Sequence, residues 1–177
     1  MIGVLTGLVA VLTVLTVLNL VLLFAVIRRL RTAEAGHGTA QLTLPEAGAR
    51  IGSFLTAAMD DSVLSEEQLA DDFVVAFVSP TCGPCKTQLA DFRATPRSAP
   101  ERTVFFVNGS ANDAQSAEFA ASLAGLGRVA YAAVGDAAST AFGGVDSFPT
   151  LLRTGGGKIA ATGRTWDAIL APAGAAV

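Results

Sequence analysis

The sequence lacks the cysteines and histidines that a disulfide framework or a zinc site needs. Only two cysteines occur in 177 residues, Cys82 and Cys85, and they lie three positions apart. A structural disulfide framework usually has more cysteines at wider spacing, so a close pair indicates catalysis or metal binding. The single histidine, His37, lies in a polar segment and is assigned no role. The net charge of −3 gives no indication of a nucleic-acid partner, and none is expected.

Charged residues are also missing from the start of the chain. Residues 2–27 are uncharged, and hydrophobic residues make up 51% of the whole sequence. An apolar run of about 20 residues or more is long enough to cross a bilayer as a helix. A cleaved signal peptide would begin with basic residues, have a shorter apolar core and end at a small-residue cleavage site. We therefore expect a transmembrane anchor at 1–30, a linker at 31–47 and a folded domain at 48–177.

Two physical arguments predict opposite orientations for the expected anchor. Arg28, Arg29 and Arg31 follow the apolar run and no basic residue precedes it, so the positive-inside rule places the domain in the cytoplasm. A dithiol protein on a membrane anchor would more naturally serve the oxidising, outer side. We expect a single-pass protein of the cell membrane with its domain on the extracytoplasmic side, and the cytoplasmic side is the alternative.

The rest of the chain alternates between strand-like and helix-like segments. Strands are expected at 54–59, 73–78, 103–107 and 129–134, with a closing hairpin at 150–153 and 158–162. Helices are expected at 82–94, 113–123 and 165–170, with a short helix from 136 and a capped helical turn at 65–69. This order predicts an α/β domain whose mixed sheet is covered by helices on both faces.

The sequence Cys82-Gly83-Pro84-Cys85 lies between a predicted buried strand and a predicted helix. Two intervening residues in a first helical turn bring both sulfurs within bonding reach, and the helix N-terminus favours a thiolate on the first cysteine. We therefore expect Cys82 to be the exposed nucleophile. Cys85, one turn further in and partly buried, is expected to resolve the mixed disulfide.

Metal binding is the first alternative for this pair. Zinc usually has four protein ligands at a structural site, and the sequence has no further cysteine. A copper-binding metallochaperone, which would not be an enzyme, could use two thiolates. Such sites usually recruit a nearby His or Met, and Met59 is the only methionine besides Met1. We expect neither a metal nor another cofactor.

The segment 77–86 reads Phe-Val-Ser-Pro-Thr-Cys-Gly-Pro-Cys-Lys and resembles the active-site segment of the thioredoxin superfamily. It is most similar to the membrane-anchored TlpA/ResA branch and to the thioredoxin-like maturation protein of methylamine dehydrogenase, which has a Ser-Pro-Thr-Cys lead-in. The resemblance covers residues 48–171. It implies a thioredoxin-like fold and a membrane-anchored thiol–disulfide oxidoreductase. The implied partners are protein dithiol or disulfide substrates and an unidentified redox partner.

A second motif, Phe148-Pro149-Thr150, matches the cis-proline loop of the same superfamily. Cis peptide bonds are largely confined to proline and mark tight turns, so we expect the Phe148–Pro149 bond to be cis. A proline directly before an apolar strand can present its preceding backbone to a bound peptide. The resemblance therefore implies that Phe148 and Pro149, together with Gly83 and Pro84, bind the substrate.

The sequence departs from the superfamily pattern at three positions. Thr81 stands where thioredoxins have a tryptophan, Ala76 at the place of a buried acid, and Gln88 where the ResA-like branch often has a glutamate. The site therefore lacks both familiar carboxylates for proton transfer, and Asp91 is the candidate substitute. A peroxiredoxin-like thiol peroxidase is the enzymatic alternative. Its peroxidatic cysteine follows a threonine at a three-residue offset, whereas Thr81 is adjacent to Cys82 here.

Overall fold

A computed structural model describes residues 44–95 and 98–170, together with five helical residues near the N-terminus: Gly3, Thr13, Leu15, Thr16 and Asn19. The compact unit that contains the CxxC motif begins at Leu44. None of the helices in the described part of the chain is long and apolar enough to span a bilayer. The predicted anchor at 1–30, apart from those five residues, and most of the predicted linker at 31–47 lie outside the described residues. Both therefore stay predictions.

The described strands and helices alternate along the chain. The strands are β1 (Leu55–Ala57), β2 (Val63–Ser65), β3 (Val74–Val78), β4 (Thr103–Val107), β5 (Arg128–Tyr131), β6 (Thr150–Gly155) and β7 (Lys158–Gly163). The helices are α1 (Gly83–Ala94), α2 (Ala114–Ala121), α3 (Ala137–Ala141) and α4 (Trp166–Leu170), with a 3₁₀ turn at Pro100–Arg102. β1 and β2 form a hairpin, and the other five strands form one sheet in the order β5-β4-β3-β6-β7.

The sheet is mixed, with β3 at its centre. β3, β4 and β5 run parallel, whereas β6 is antiparallel to β3 and β7 is antiparallel to β6. Every residue of β3 and β4 is buried. Their unbroken apolar sequences predict this burial, because a strand covered on both faces has no solvent side to alternate toward. The predicted α/β domain, with a mixed sheet flanked by helices, is confirmed.

One face of the sheet is covered by α3 and the β1–β2 hairpin. Four phenylalanine rings meet in this core: Phe54, Phe77, Phe106 and Phe142. The opposite face is covered by α1, α2 and α4, and its core includes Leu89, Phe92 and Trp166. The rings of Phe92 and Trp166 lie 4.5 Å apart between their centroids. Cys85 belongs to this second core, so the helix that carries the motif is fixed against the sheet by buried side chains.

The expected capped helical turn at 65–69 is found in part, because a single helical turn is present but follows directly on a strand. Ser65 is the last residue of β2 and pairs with Leu55 across the hairpin. The chain then makes a turn, in which the Leu69 N–H donates to the Ser65 carbonyl at 3.2 Å, and no helix follows. Glu66 secures this turn, because its carboxylate accepts the Phe54 N–H at 3.0 Å. That hydrogen bond lowers the pKa of the Glu66 carboxyl. Backbone pairing in the hairpin thus replaces the local cap.

Candidate active site

The CxxC motif follows directly on the central strand. β3 ends at Val78, whose carbonyl accepts the N–H of Asn108 from the loop after β4 at 2.8 Å. Ser79 is buried, and its carbonyl accepts the Cys82 N–H at 3.2 Å. This turn places Cys82 at the N-cap of α1 in an extended conformation. The motif therefore lies at the carboxyl edge of the parallel strands, where open α/β sheets place their ligand sites.

The two cysteines form a disulfide, with their Cα atoms 5.3 Å apart. Their exposure differs sharply, because Cys85 has 0% of its surface exposed while Cys82 is only partly buried. An incoming sulfur can therefore reach Cys82 and is kept from Cys85. The predicted burial of the second cysteine agrees with this arrangement, and the assignment of nucleophile and resolving cysteine stays a proposal.

Backbone polarity at the start of α1 is directed at Cys82. The Cys85 N–H donates to the Cys82 Sγ at 3.1 Å. Pro84 lies in the first turn of α1 and has no N–H of its own to offer the sulfur, so the Cys85 N–H is the donor there. A proline at this position does not interrupt the helix. When the disulfide is reduced, the same N–H and the N-terminal end of the 12-residue helix favour negative charge on Cys82.

The surroundings of Cys85 are apolar. Ala76 occupies the position at which the resembled superfamily has a buried acid, and it is fully buried in the same core as Cys85. Gln88 lies one turn after Cys85, on the same side of α1. Asp91 is exposed on α1. Ala76 and Gln88 therefore supply no carboxylate for proton transfer to or from Cys85. Burial in this apolar core disfavours the thiolate form of Cys85.

The loop before β6 lies at the same edge of the sheet as the motif. Thr150 pairs with Phe77 next to the end of β3, so the residues just before it face the start of α1. The Phe148–Pro149 bond is cis, which confirms the prediction. Phe148 is partly buried and packs against the same core as Cys82. The loop and the CxxC motif therefore lie at one edge of the sheet and pack against one core, and their joint role in binding a substrate stays a prediction.

Two contacts near the site were missed from the sequence. The Gln88 side-chain oxygen accepts the backbone N–H of Trp166 at 3.3 Å, and the Gln88 carbonyl accepts the indole N–H at 2.7 Å. These bonds fasten α1 to the start of α4. The Arg164 guanidinium donates to the hydroxyl of Ser147 at 3.1 Å, next to the cis-proline loop. Gln88 and Trp166 are 78 residues apart in sequence, and Ser147 and Arg164 are 17 residues apart, so no local sequence pattern signals either contact.

Metal-binding side chains are not grouped at this site. Across residues 44–95 and 98–170, no three His, Cys, Asp or Glu side chains lie close enough together to hold a metal ion.

The sequence matches no known protein-family description and no curated protein. The fold, in contrast, matches solved structures. A thio-disulfide isomerase from Thermus thermophilus is 13% identical, with a TM-score of 0.54 over 68% of this chain and 87% of that one. The thioredoxin domain of a thiol-disulfide oxidoreductase from Bacteroides vulgatus is 12% identical, with a TM-score of 0.53 over 71% and 93%. A DsbF homologue from Corynebacterium diphtheriae is 13% identical, with a TM-score of 0.50 over 68% and 81%.

These likenesses define the class of structure. The chain has a thioredoxin-like fold, with a disulfide at the point where the central strand meets the first helix. At this level of identity the comparisons establish the fold, and the activity has to be argued from the site.

Proposed function

We propose that this chain is a membrane-anchored thiol–disulfide oxidoreductase that exchanges its Cys82–Cys85 disulfide with protein substrates. One observation carries the proposal: the disulfide joins a partly exposed sulfur at a helix N-cap to a fully buried one. A structural disulfide gains nothing from this asymmetry, whereas an exchange reaction needs one sulfur that a partner can reach. The solved neighbours support it, since their names describe thiol-disulfide oxidoreductases and isomerases.

The exchange proceeds in two substitutions at sulfur. A substrate thiolate attacks the Cys82 sulfur, the bond to Cys85 breaks, and the Cys85 sulfur leaves with the bonding pair and takes up a proton. The substrate's second thiolate then attacks the substrate's first sulfur, which is bonded to Cys82 in the mixed disulfide, and Cys82 leaves as a thiolate. Two electrons pass from substrate to protein, and the reverse sequence reduces a substrate disulfide. A second dithiol or disulfide protein restores the starting state.

The residues flanking the two sulfurs provide the contacts with the substrate. Gly83 and Pro84 are exposed beside Cys82 in the first turn of α1. Phe148 and Pro149 occupy the facing loop, and the backbone before Pro149 can pair with an extended peptide. Main-chain pairing does not depend on the side chains of the peptide, so this part of the site can bind substrates of many sequences.

The direct test is turnover by the full-length chain. We expect the purified protein to accelerate the reduction of insulin by dithiothreitol, with the Cys82–Cys85 pair cycling between disulfide and dithiol. A control protein with both cysteines replaced by serine should leave the uncatalysed rate unchanged. Equal rates with and without the wild-type chain, over a range of pH and thiol concentration, would count against the proposal.

Residues 1–30 form the anchor in this proposal, and the thioredoxin-like domain faces the extracytoplasmic side. The support is chemical: disulfides persist in oxidising compartments, and the resembled TlpA/ResA branch and methylamine dehydrogenase maturation proteins are membrane-anchored. The arginines at 28, 29 and 31 argue for the opposite orientation.

Alkaline phosphatase fused to the C-terminus decides between the two orientations, because that enzyme needs its own disulfides to be active. We expect an active fusion in cells expressing the full chain. The same fusion without residues 1–30 is the control and should be inactive. A fluorescent reporter that folds only in the cytoplasm, bright at the same junction while the phosphatase is silent, would place the domain inside.

A further inference from the structure

A groove lies beside the CxxC motif, between α1 and α2. It has a volume of about 260 Å³ and is lined by Pro80, Lys86, Gln115, Glu118, Phe119 and Ser122. We call it the α1–α2 groove. Two of its lining residues frame the disulfide in sequence, because Pro80 precedes Cys82 by two positions and Lys86 follows Cys85 directly. Two residues of extended chain span about 7 Å, so the groove begins close to the reactive sulfur.

The two helices that form the groove pack on the sheet and are joined to each other at one end. α1 and α2 pack on the same face of the sheet, through Leu89 and Ala120 in the core that contains Cys85. The Arg93 guanidinium on α1 donates to the Ser122 carbonyl just after α2 at 2.7 Å. The Asp113 carboxylate caps the start of α2 itself by accepting the Ser116 N–H at 2.9 Å. The groove is therefore formed by two helices that pack on one face of the sheet and are joined by Arg93.

The lining of the groove combines an apolar floor with a charged rim. Phe119 is half-buried and packs against the Cys85 core, so the remainder of its ring is available to the groove. Lys86 and Glu118 are exposed and carry opposite charges. Pockets for small molecules and cofactors usually enclose about 300–1,000 Å³, so this groove is on the small side for such a ligand. One apolar side chain against Phe119, with its backbone between Lys86 and Glu118, suits it better.

We propose that the α1–α2 groove binds an apolar side chain of the protein substrate, two residues from the cysteine that pairs with Cys82. This inference rests on the proposed function, since the groove meets the substrate while its sulfur approaches and bonds to Cys82. A substrate residue two positions from its cysteine reaches about 7 Å in an extended chain, and Pro80, two positions from Cys82, lies within that reach. The cis-proline loop then holds the substrate backbone, and the groove selects among sequences.

The test uses the reduced full-length chain and short Gly-Ser peptides with one cysteine, capped as a disulfide with mercaptoethanol. One peptide carries leucine two positions before the cysteine, a second carries it two positions after, and a third has glycine at both places. We expect leucine at one of the two positions to raise the rate of peptide reduction about tenfold over the glycine peptide. Bis(2-hydroxyethyl) disulfide, which has no side chain to place in the groove, provides the reference rate.

Two variants separate recognition from folding. Phe119→Ala removes the apolar floor, and Gln115→Trp fills the groove from an exposed position that contributes nothing to the core. Both should abolish the leucine preference and leave the rate with the small disulfide within about twofold of wild type. Ala121→Trp, exposed on α2 but outside the groove, is the matched control and should keep the preference.

The outcomes distinguish this inference from the proposed function. A wild-type chain that fails to reduce the small disulfide contradicts the proposed function itself. A chain that reduces the small disulfide but shows equal rates for the leucine and glycine peptides overturns only the role of the groove. A leucine preference that survives Gln115→Trp also overturns it.

Discussion

Replacing Cys82 with serine is expected to abolish disulfide exchange, reducing insulin turnover to the uncatalysed rate. The Cys85 sulfur that remains is fully buried, so a substrate sulfur cannot approach it without displacing the core. A serine hydroxyl is also not ionised at neutral pH and forms no disulfide. The measurement is the initial rate of insulin precipitation, compared with the wild-type chain at equal concentration.

The control for Cys82→Ser is the folded state of the variant. Its thermal midpoint and far-ultraviolet circular dichroism should be close to those of the reduced wild-type chain, because Cys82 is only partly buried and serine is similar in size. A folded Cys82→Ser variant with more than residual turnover would show that exchange begins elsewhere. The roles assigned to the two cysteines would then be wrong.

Phe106→Ala is expected to cost about 3–5 kcal/mol of unfolding free energy. The Phe106 ring is fully buried and lies 4.9 Å from the Phe77 ring, between centroids, in a stacked arrangement. It also contacts the rings of Phe54 and Phe142, at 6.0 and 6.1 Å. Truncation leaves a cavity that these aromatic neighbours cannot easily fill. A domain of this kind has a total stability of about 5–15 kcal/mol, so the expected loss is a large fraction of it.

Chemical denaturation of the full-length chain measures this cost, with two matched variants beside it. Phe106→Leu keeps an apolar side chain of substantial volume and should lose less stability than Phe106→Ala. Leu55→Ala removes an apolar side chain that is 72% exposed, and should change the unfolding free energy by only about 0.5 kcal/mol or less. Similar losses for Phe106→Ala and Leu55→Ala would contradict the assigned core.

The central part of the fold could be predicted from sequence because its signals are local and mutually consistent. β3 and β4 are unbroken apolar runs, and the helix after Cys82 starts where the motif requires and ends close to its predicted boundary. The second strand of the N-terminal hairpin, β2, could not be predicted in the same way. Ser65 has the local sequence of a helix cap, but pairing with Leu55 across the hairpin determines its conformation. A three-residue strand has too little periodicity to outweigh such a cap signal.

The candidate site shows the same difference between parts with a local sequence signal and parts that depend on long-range packing. The cysteines and the cis-proline loop were found from sequence because each is a compact motif with a chemical meaning. The groove between α1 and α2 depends on how two helices pack on one sheet face, so its lining is scattered from Pro80 to Ser122. Gln88 was identified only as a missing carboxylate, whereas its contacts with Trp166 show that it fastens two helices together.

The most direct measurement of the central claim is to trap the reaction intermediate. Cys85→Ser removes the thiol that resolves the mixed disulfide. The Cys82 thiolate of a full-length chain bearing this change should attack a substrate peptide whose cysteine is capped as a disulfide with mercaptoethanol. Mercaptoethanol then leaves as a thiolate, and a covalent complex of chain and peptide should accumulate. Mass spectrometry after proteolysis should place the peptide on Cys82, in a one-to-one complex that dithiothreitol releases. The absence of any complex under conditions where wild-type chain turns over the same peptide would contradict the account.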